Sequence, residues 1–227
     1  MMRKSFRAFT LIELIIAMAL MGMILACAMR FFVPVNDMHK DLSSKERIMA
    51  ITNGVSRYVG ESVRYSKYVM IYVGYDSPPS NLDVLTDFRG LDPEKLLESK
   101  IDNDTLSAKI KGLYLNNSTP VTYSGKAYKG RVYKLKSLKD GTPKMALTPS
   151  YYGRNSLFFS IPIGDDGKPQ ITAATMEFNI QLLNQDNSTY SSTDNEIDFL
   201  NMNSRIEGQM DYKVGTGENI YVYYYEQ

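Results

Sequence analysis

Apolar residues run unbroken near one end of this chain and become periodic or alternating further along. After MMRKSFRA, the stretch FTLIELIIAMALMGMILACAM carries no charge from Leu14 to Met29. A run of that length and composition predicts a helix able to sit in a bilayer. Glu13 lies inside it, where an ionisable side chain is costly and marks function. Beyond Phe31, Phe32 and Val33, Pro34 predicts a kink or local opening, and Asn36 and Asp37 are candidate caps for a restarted segment. Leu42, Ile48, Ile51, Val55, Tyr58, Val59 and Val63 then recur at three- and four-residue spacing, with Lys45, Glu46, Arg47, Arg57, Glu61 and Arg64 largely elsewhere. This predicts an amphipathic helix to about Ser66, in spite of Gly54 and Gly60. The two halves would make a broken rod of roughly 60 residues, on the order of 80 Å long.

The pattern then turns to β. Tyr68 to Tyr75 is β-branched and aromatic and stops at Asp76-Ser77-Pro78-Pro79. Asp92-Pro93-Glu94 before Lys95 to Lys100 predicts a short capped helix. Ile110 to Leu115, Ala127 to Lys136, Ser156 to Ile163, Ile171 to Leu183, Glu196 to Met202 and Ile220 to Tyr225 are strand candidates. Gly164-Asp165-Asp166-Gly167 is a hairpin signal, and Asn184 to Asn195 reads as a polar loop. Three consecutive tyrosines in the last segment suit a final sheet strand, with an exposed docking surface as the alternative. The fold class is α+β, a long N-terminal helix packed on a mostly antiparallel sheet. The predicted divisions are 1–8, a leader; 9–30, a membrane or filament-core helix; 31–66, its amphipathic continuation; and 67–227, a β-rich domain.

Composition narrows the picture. Of the 227 residues, 44% are hydrophobic, which supplies a core for one domain of ordinary size. A formal net charge of +1 argues against bulk nucleic-acid affinity, and a single cysteine excludes an internal disulfide. Cys27 falls in the apolar run, where it reads as a small apolar filler. The one histidine, His39, follows the apolar run as a solvated residue. There is no Cys/His cluster, glycine-rich phosphate loop or serine elbow, so no catalytic residue is assigned and the chain reads as a non-enzyme.

Two polar constellations remain. Asp186, Asp194, Glu196 and Asp198, with Asn187 and Asn195, gather hard oxygens suited to calcium, the one candidate cofactor, although their spacing matches no defined calcium loop. Lys126, Lys129, Arg131, Lys134, Lys136, Lys139 and Lys144 form a basic stretch interleaved with Tyr123, Tyr128 and Tyr133. That stretch could grip DNA, serve as a lysine-rich edge hairpin, or meet the acid-rich stretch 177–227 of a neighbouring subunit.

The junction from Phe9 through Thr10, Leu11, Ile12 and Glu13 into Leu14 to Leu25, with Gly22, resembles the N-terminus of type IV pilins and the pseudopilins of type II secretion and competence systems. The resemblance covers about the first 30 residues. It implies cleavage between Ala8 and Phe9 by prepilin peptidase and N-methylation of Phe9; the family usually has glycine where Ala8 stands. It further implies assembly through the helix, with Glu13 paired to the new amine of Phe9 on the same chain or a neighbour. Implied partners are other pilin or pseudopilin subunits, the peptidase, an assembly-platform membrane protein, and lipid before assembly. Arg3, Lys4 and Arg7 predict a cytoplasmic N-terminus and an exported domain. A large soluble domain favours a minor subunit.

Three other readings stay open. Ala26-Cys27-Ala28 suits a secretory cut, Ile24-Leu25-Ala26-Cys27 is an imperfect lipoprotein box, and the run could be a plain anchor. Each leads to a membrane- or lipid-anchored extracellular binding module instead of a filament subunit.

Overall fold

The computed structural model describes residues 10–91, 101–172, 175–183, 188–200 and 209–225. The chain divides into two compact units, residues 1–49 and 50–227. In the first, helix α1 (Leu11–Val63) begins, and it continues into the second without interruption. Pro34 sits inside the helix, so the predicted restart at Asn36 and Asp37 does not occur. A proline removes one ladder hydrogen bond, a local cost that continuous helix on both sides outweighs. Leu42 is exposed, so the buried stripe starts at Ile48.

In the second unit α1 buries Ile51, Val55, Val59 and Val63, spaced by four residues along one face. Around this stripe, Gly60 lies beside Ile197, and Tyr151 donates a hydrogen bond to the Ala50 carbonyl (3.4 Å). The chain then enters a six-stranded sheet in the order β10-β1-β11-β2-β5-β6. Its strands are β1 (Tyr68–Tyr75), β2 (Ile110–Asn116), β5 (Arg131–Leu135), β6 (Lys144–Met145), β10 (Met210–Val214) and β11 (Asn219–Tyr225). Only β1 and β10 pair in parallel.

One sheet face is a tyrosine layer. Tyr68, Met70 and Tyr72 of β1, Tyr114 of β2 and Tyr221, Tyr223 and Tyr225 of β11 share one core. Helices α2 (Asn81–Gly90) and α3 (Asn103–Lys109) supply Val84, Phe88 and Leu106 to it. The rings meet edge to face, Tyr72 and Tyr223 at 5.8 Å and Tyr114 and Tyr221 at 5.0 Å between centroids, the arrangement ring quadrupoles favour. Tyr223 donates to the hydroxyl of Tyr114 (3.1 Å), and burial raises both phenols above their usual range. Tyr72 donates to Asp87 (2.6 Å), which also holds Lys213 of β10 (2.7 Å), so α2 and the parallel edge strand share one carboxylate. The hydrogen bond to Asp87 raises the ammonium pKa of Lys213, with smaller contributions from the charges of Asp87, Tyr75 and Asp83. The triple tyrosine therefore belongs to an interior strand.

A second sheet, β7-β8-β9, is antiparallel: β7 (Ser156–Ser160), β8 (Thr175–Leu183) and β9 (Thr189–Asp198). Leu157, Phe159, Met176, Phe178, Ile180 and Leu182 are buried on one face, and more exposed residues, mostly polar but including Phe158, alternate with most of them along β7 and β8. The predicted loop from Asn184 to Asn195 is thus largely strand β9. Its alternate residues face water, which leaves few apolar markers to announce it. The turn at Gly164–Gly167 does close β7 towards β8, with the Gly167 amide on the Gly164 carbonyl (3.0 Å).

The single strand expected from Ala127 to Lys136 is two strands. Hairpin β3 (Val121–Tyr123) and β4 (Lys126–Tyr128) turns on Ser124 and Gly125, both at positive φ. Gly130 (φ 72) then separates β4 from β5, and a Cβ there would run into the Leu157 carbonyl. The two sheets are joined by Asn117, 2% exposed. Its Nδ2 donates to Phe159 O (2.8 Å) and Glu218 O (2.6 Å), while its Oδ1 accepts from Phe159 N (2.8 Å). Asn219 completes the joint by accepting from the Asn117 amide (2.9 Å). The short helix α4 (Pro149–Tyr152) precedes β7. The helix expected at 92–100 lies outside the described residues.

Candidate functional site

Thr10 and Glu13 begin α1 as a reciprocal cap. Glu13 Oε2 accepts from the backbone amide and the hydroxyl of Thr10, both at 2.9 Å, and Thr10 Oγ1 accepts from the Glu13 amide (3.4 Å). The Thr10 carbonyl takes the first helical bond, from Leu14 N (3.2 Å). This is the T-x-x-E capping box, a signal present in the sequence that reading Glu13 only as a charge misses. Amides left open at a helix start also favour a carboxylate there.

From Leu11 onward the helix presents apolar side chains all round. Leu11 is 78% exposed and Phe31 75%, and the most apolar 18-residue window, of mean hydropathy 2.5, is entirely unburied. From Leu11 to Met29 the rise is about 28 Å, close to the thickness of a bilayer's hydrocarbon core. No charge interrupts the run after Glu13, and Cys27 sits exposed on it. The helix is unbroken through Ala26-Cys27-Ala28.

Residues 3–28 match the family model described as the prokaryotic N-terminal methylation motif. The chain opens with a type IV pilin-like prepilin segment. No curated protein and no solved structure matches the chain significantly. Within the prepilin segment, Thr10 and Glu13 are described, whereas the processing residues Ala8 and Phe9 lie outside the described residues.

Beyond the prepilin segment the basic stretch does not form one surface. Arg131 is fully buried. Its Nη1 donates to the carbonyls of Lys129 (2.7 Å), Gly130 (2.9 Å) and Asn155 (3.2 Å), and its guanidinium stacks 4.4 Å from the Tyr152 ring centre. Burial lowers the pKa of this cation, and raises that of the Tyr152 phenol to about 12. Arg131 is therefore a packing residue, placed inside by the turn at Gly130. Lys139 is paired with Asp104 (2.6 Å), and Tyr128 is buried, so the aromatic interleaving offers no continuous platform. Lys126, Lys129, Lys134, Lys136 and Lys144 remain exposed.

Of the calcium candidates, Asp186 lies outside the described residues. Asp194, Glu196 and Asp198 occupy alternate, exposed positions of β9. Alternate residues of a strand stand about 7 Å apart, a spread row where a cage would converge its oxygens. Among the described residues no group of three or more acidic, histidine or cysteine side chains could hold a metal ion.

Proposed function

We propose that this protein is a filament subunit, a minor one, of a type IV pilus, competence pilus or type II secretion pseudopilus. In this reading prepilin peptidase cuts between Ala8 and Phe9, Phe9 is N-methylated, and an assembly platform draws the subunit from the membrane into the filament. The observation that carries the reading is the prepilin segment itself: a matched methylation motif on an exposed apolar stretch of helix with one carboxylate in its first turn. Arg3, Lys4 and Arg7 hold the N-terminus in the cytoplasm and the β-rich domain outside.

The capping box refines the part played by Glu13. In the lone subunit Thr10 occupies one carboxylate oxygen, so the charge is held at the helix start. Once helices pack together away from water, a carboxylate needs a cation, and the amine freed at Phe9 by cleavage is a group able to supply one. A lipid-anchored binding module would need a cut at Cys27, in the middle of unbroken helix.

Glu13→Gln separates cap from charge, because the amide oxygen can still accept from Thr10. The expected outcome is normal membrane insertion of both Glu13→Gln and Glu13→Ala, with both depleted from sheared filaments to a similar degree. Wild-type incorporation of Glu13→Gln, with Glu13→Ala depleted, would assign Glu13 to capping alone.

A further inference from the structure

Antiparallel ladders place directly opposed side chains about 5 Å apart, and like charges in such pairs are unfavourable. The described residues contain two of them, of opposite sign. On β8 and β9, Glu177 stands opposite Glu196. Both are exposed, and Asp194 and Asp198 flank Glu196 on the same face of β9. On β5 and β6, Lys134 stands opposite Lys144, also both exposed, at the free edge of the six-stranded sheet. None of these four residues forms an ion pair among the described residues. Arg57 and Arg64 line the same cleft as Glu196 and Asp198. Arg57 is committed to Glu61 at 2.7 Å, and neither reaches an acid of that face.

We propose that the acidic β8–β9 face of one copy of this chain docks on the lysine-bearing β5–β6 edge of a second copy. The inference rests on the filament reading and gives it a lateral contact. A second copy is the occupant that relieves both repulsions at once. A divalent cation would answer only the acidic pair, and the described residues offer no group of three ligands for it. A nucleic acid would answer only the lysines, and of the three tyrosines that would stack its bases Tyr128 is buried and Tyr123 and Tyr133 are half-buried. The contact is heterologous, joining two different patches, so each bound copy leaves one patch of each sign open to a neighbouring subunit where a two-fold dimer would be closed. Each patch rejects its own kind, which fixes the order of contact as well as its strength.

The experiment uses the full chain in detergent micelles, mixing isotopically labelled and unlabelled copies. A zero-length carbodiimide, which joins an amine to a carboxylate only in direct contact, is expected to link Lys134 or Lys144 of one copy to Glu177 or Glu196 of another. Intermolecular links found only elsewhere would overturn the proposal. Three variants then test the energetics. Lys134→Glu with Lys144→Glu, and separately Glu177→Lys with Glu196→Lys, are each expected to weaken self-association at low salt at least about tenfold. The four changes combined in one chain exchange the two opposed pairs while Asp194 and Asp198 stay in place, so they are expected to recover part of the association lost in either double variant. That recovery also shows that the variants fold. Wild-type association should fall as salt shortens screening from about 10 Å at 0.1 M to about 3 Å at 1 M.

Unchanged association in either double variant, or no recovery in the quadruple one, overturns the proposal. So does retention on a duplex oligonucleotide that is lost with the lysines while self-association persists. Intact mass on the same samples, taken from cells expressing prepilin peptidase, separates this failure from a failure of the filament reading. A chain starting at Phe9 without the charge coupling refutes the contact alone, whereas a chain starting elsewhere refutes the reading beneath it.

Discussion

Asn117 offers the most quantitative test of how the two sheets are held together. Its side chain behaves as a strand that is not there: Oδ1 takes the Phe159 amide and Nδ2 gives to the Phe159 carbonyl, on the outer side of β7. The same Nδ2 reaches the Glu218 carbonyl just ahead of β11 (2.6 Å). Asn117→Ala removes three hydrogen bonds and strands a donor and an acceptor on Phe159, which is 1% exposed. A buried polar group left unsatisfied costs about 1–3 kcal/mol, so two groups, partly relieved by entering water, give a loss of about 3 kcal/mol. Asn117→Asp should be at least as severe, because a carboxylate would then face two carbonyl oxygens. Neighbouring Asn116 holds only a local turn, accepting from Thr119 N (2.8 Å), so Asn116→Ala should cost about 1 kcal/mol. The assay is urea unfolding of the full chain in micelles, followed by tyrosine fluorescence, since the chain has 17 tyrosines and no tryptophan. A loss below about 1 kcal/mol for Asn117→Ala would refute the claim that this side chain joins the sheets.

Two further outcomes follow from the same geometry. Gly130→Ala should destabilise by about 2–4 kcal/mol in that assay, since it combines a positive φ with a collision against backbone at Leu157; a cost like that of a surface change would contradict the close approach. Asp102 caps α3 by accepting from the Thr105 amide (2.6 Å), which holds its carboxyl below the usual value of 3.8. A depressed carboxyl stabilises the fold above its unfolded value and loses that contribution as pH falls through the lowered one. The stability advantage of wild type over Asp102→Ala should therefore be flat near neutrality and shrink as pH drops below about 3.8, read from unfolding at stepped pH.

Much of the architecture was legible because periodicity was strong where burial was strong. The apolar run, the stripe Ile51–Val55–Val59–Val63, and strand β1 from Tyr68 to Tyr75 all declare themselves by spacing. β9 and β10 do not, because β9 has one wet face rich in acids and hydroxyls and β10 is a short edge strand. Helix α2 carries a readable start in Ser80, whose hydroxyl accepts from Asp83 N (3.2 Å), but the prolines before it draw attention to a turn. Arg131 looks like one more member of a basic run; only the fold shows that Gly130 turns it inward. The Asn117–Asn219 joint spans about a hundred residues of sequence, beyond the reach of any local pattern. At the N-terminus the T-x-x-E spacing of Thr10 and Glu13 carries the capping signal, which reading Glu13 as a membrane charge passes over and the hydrogen bonds reveal.

The most direct test of the central claim is the intact mass of the mature chain recovered from a cell that expresses the prepilin peptidase. The account predicts a chain that begins at Phe9 and carries one added methyl group on its amine. A chain starting at Met29, one lipidated at Cys27, or one retaining Met1 would contradict it.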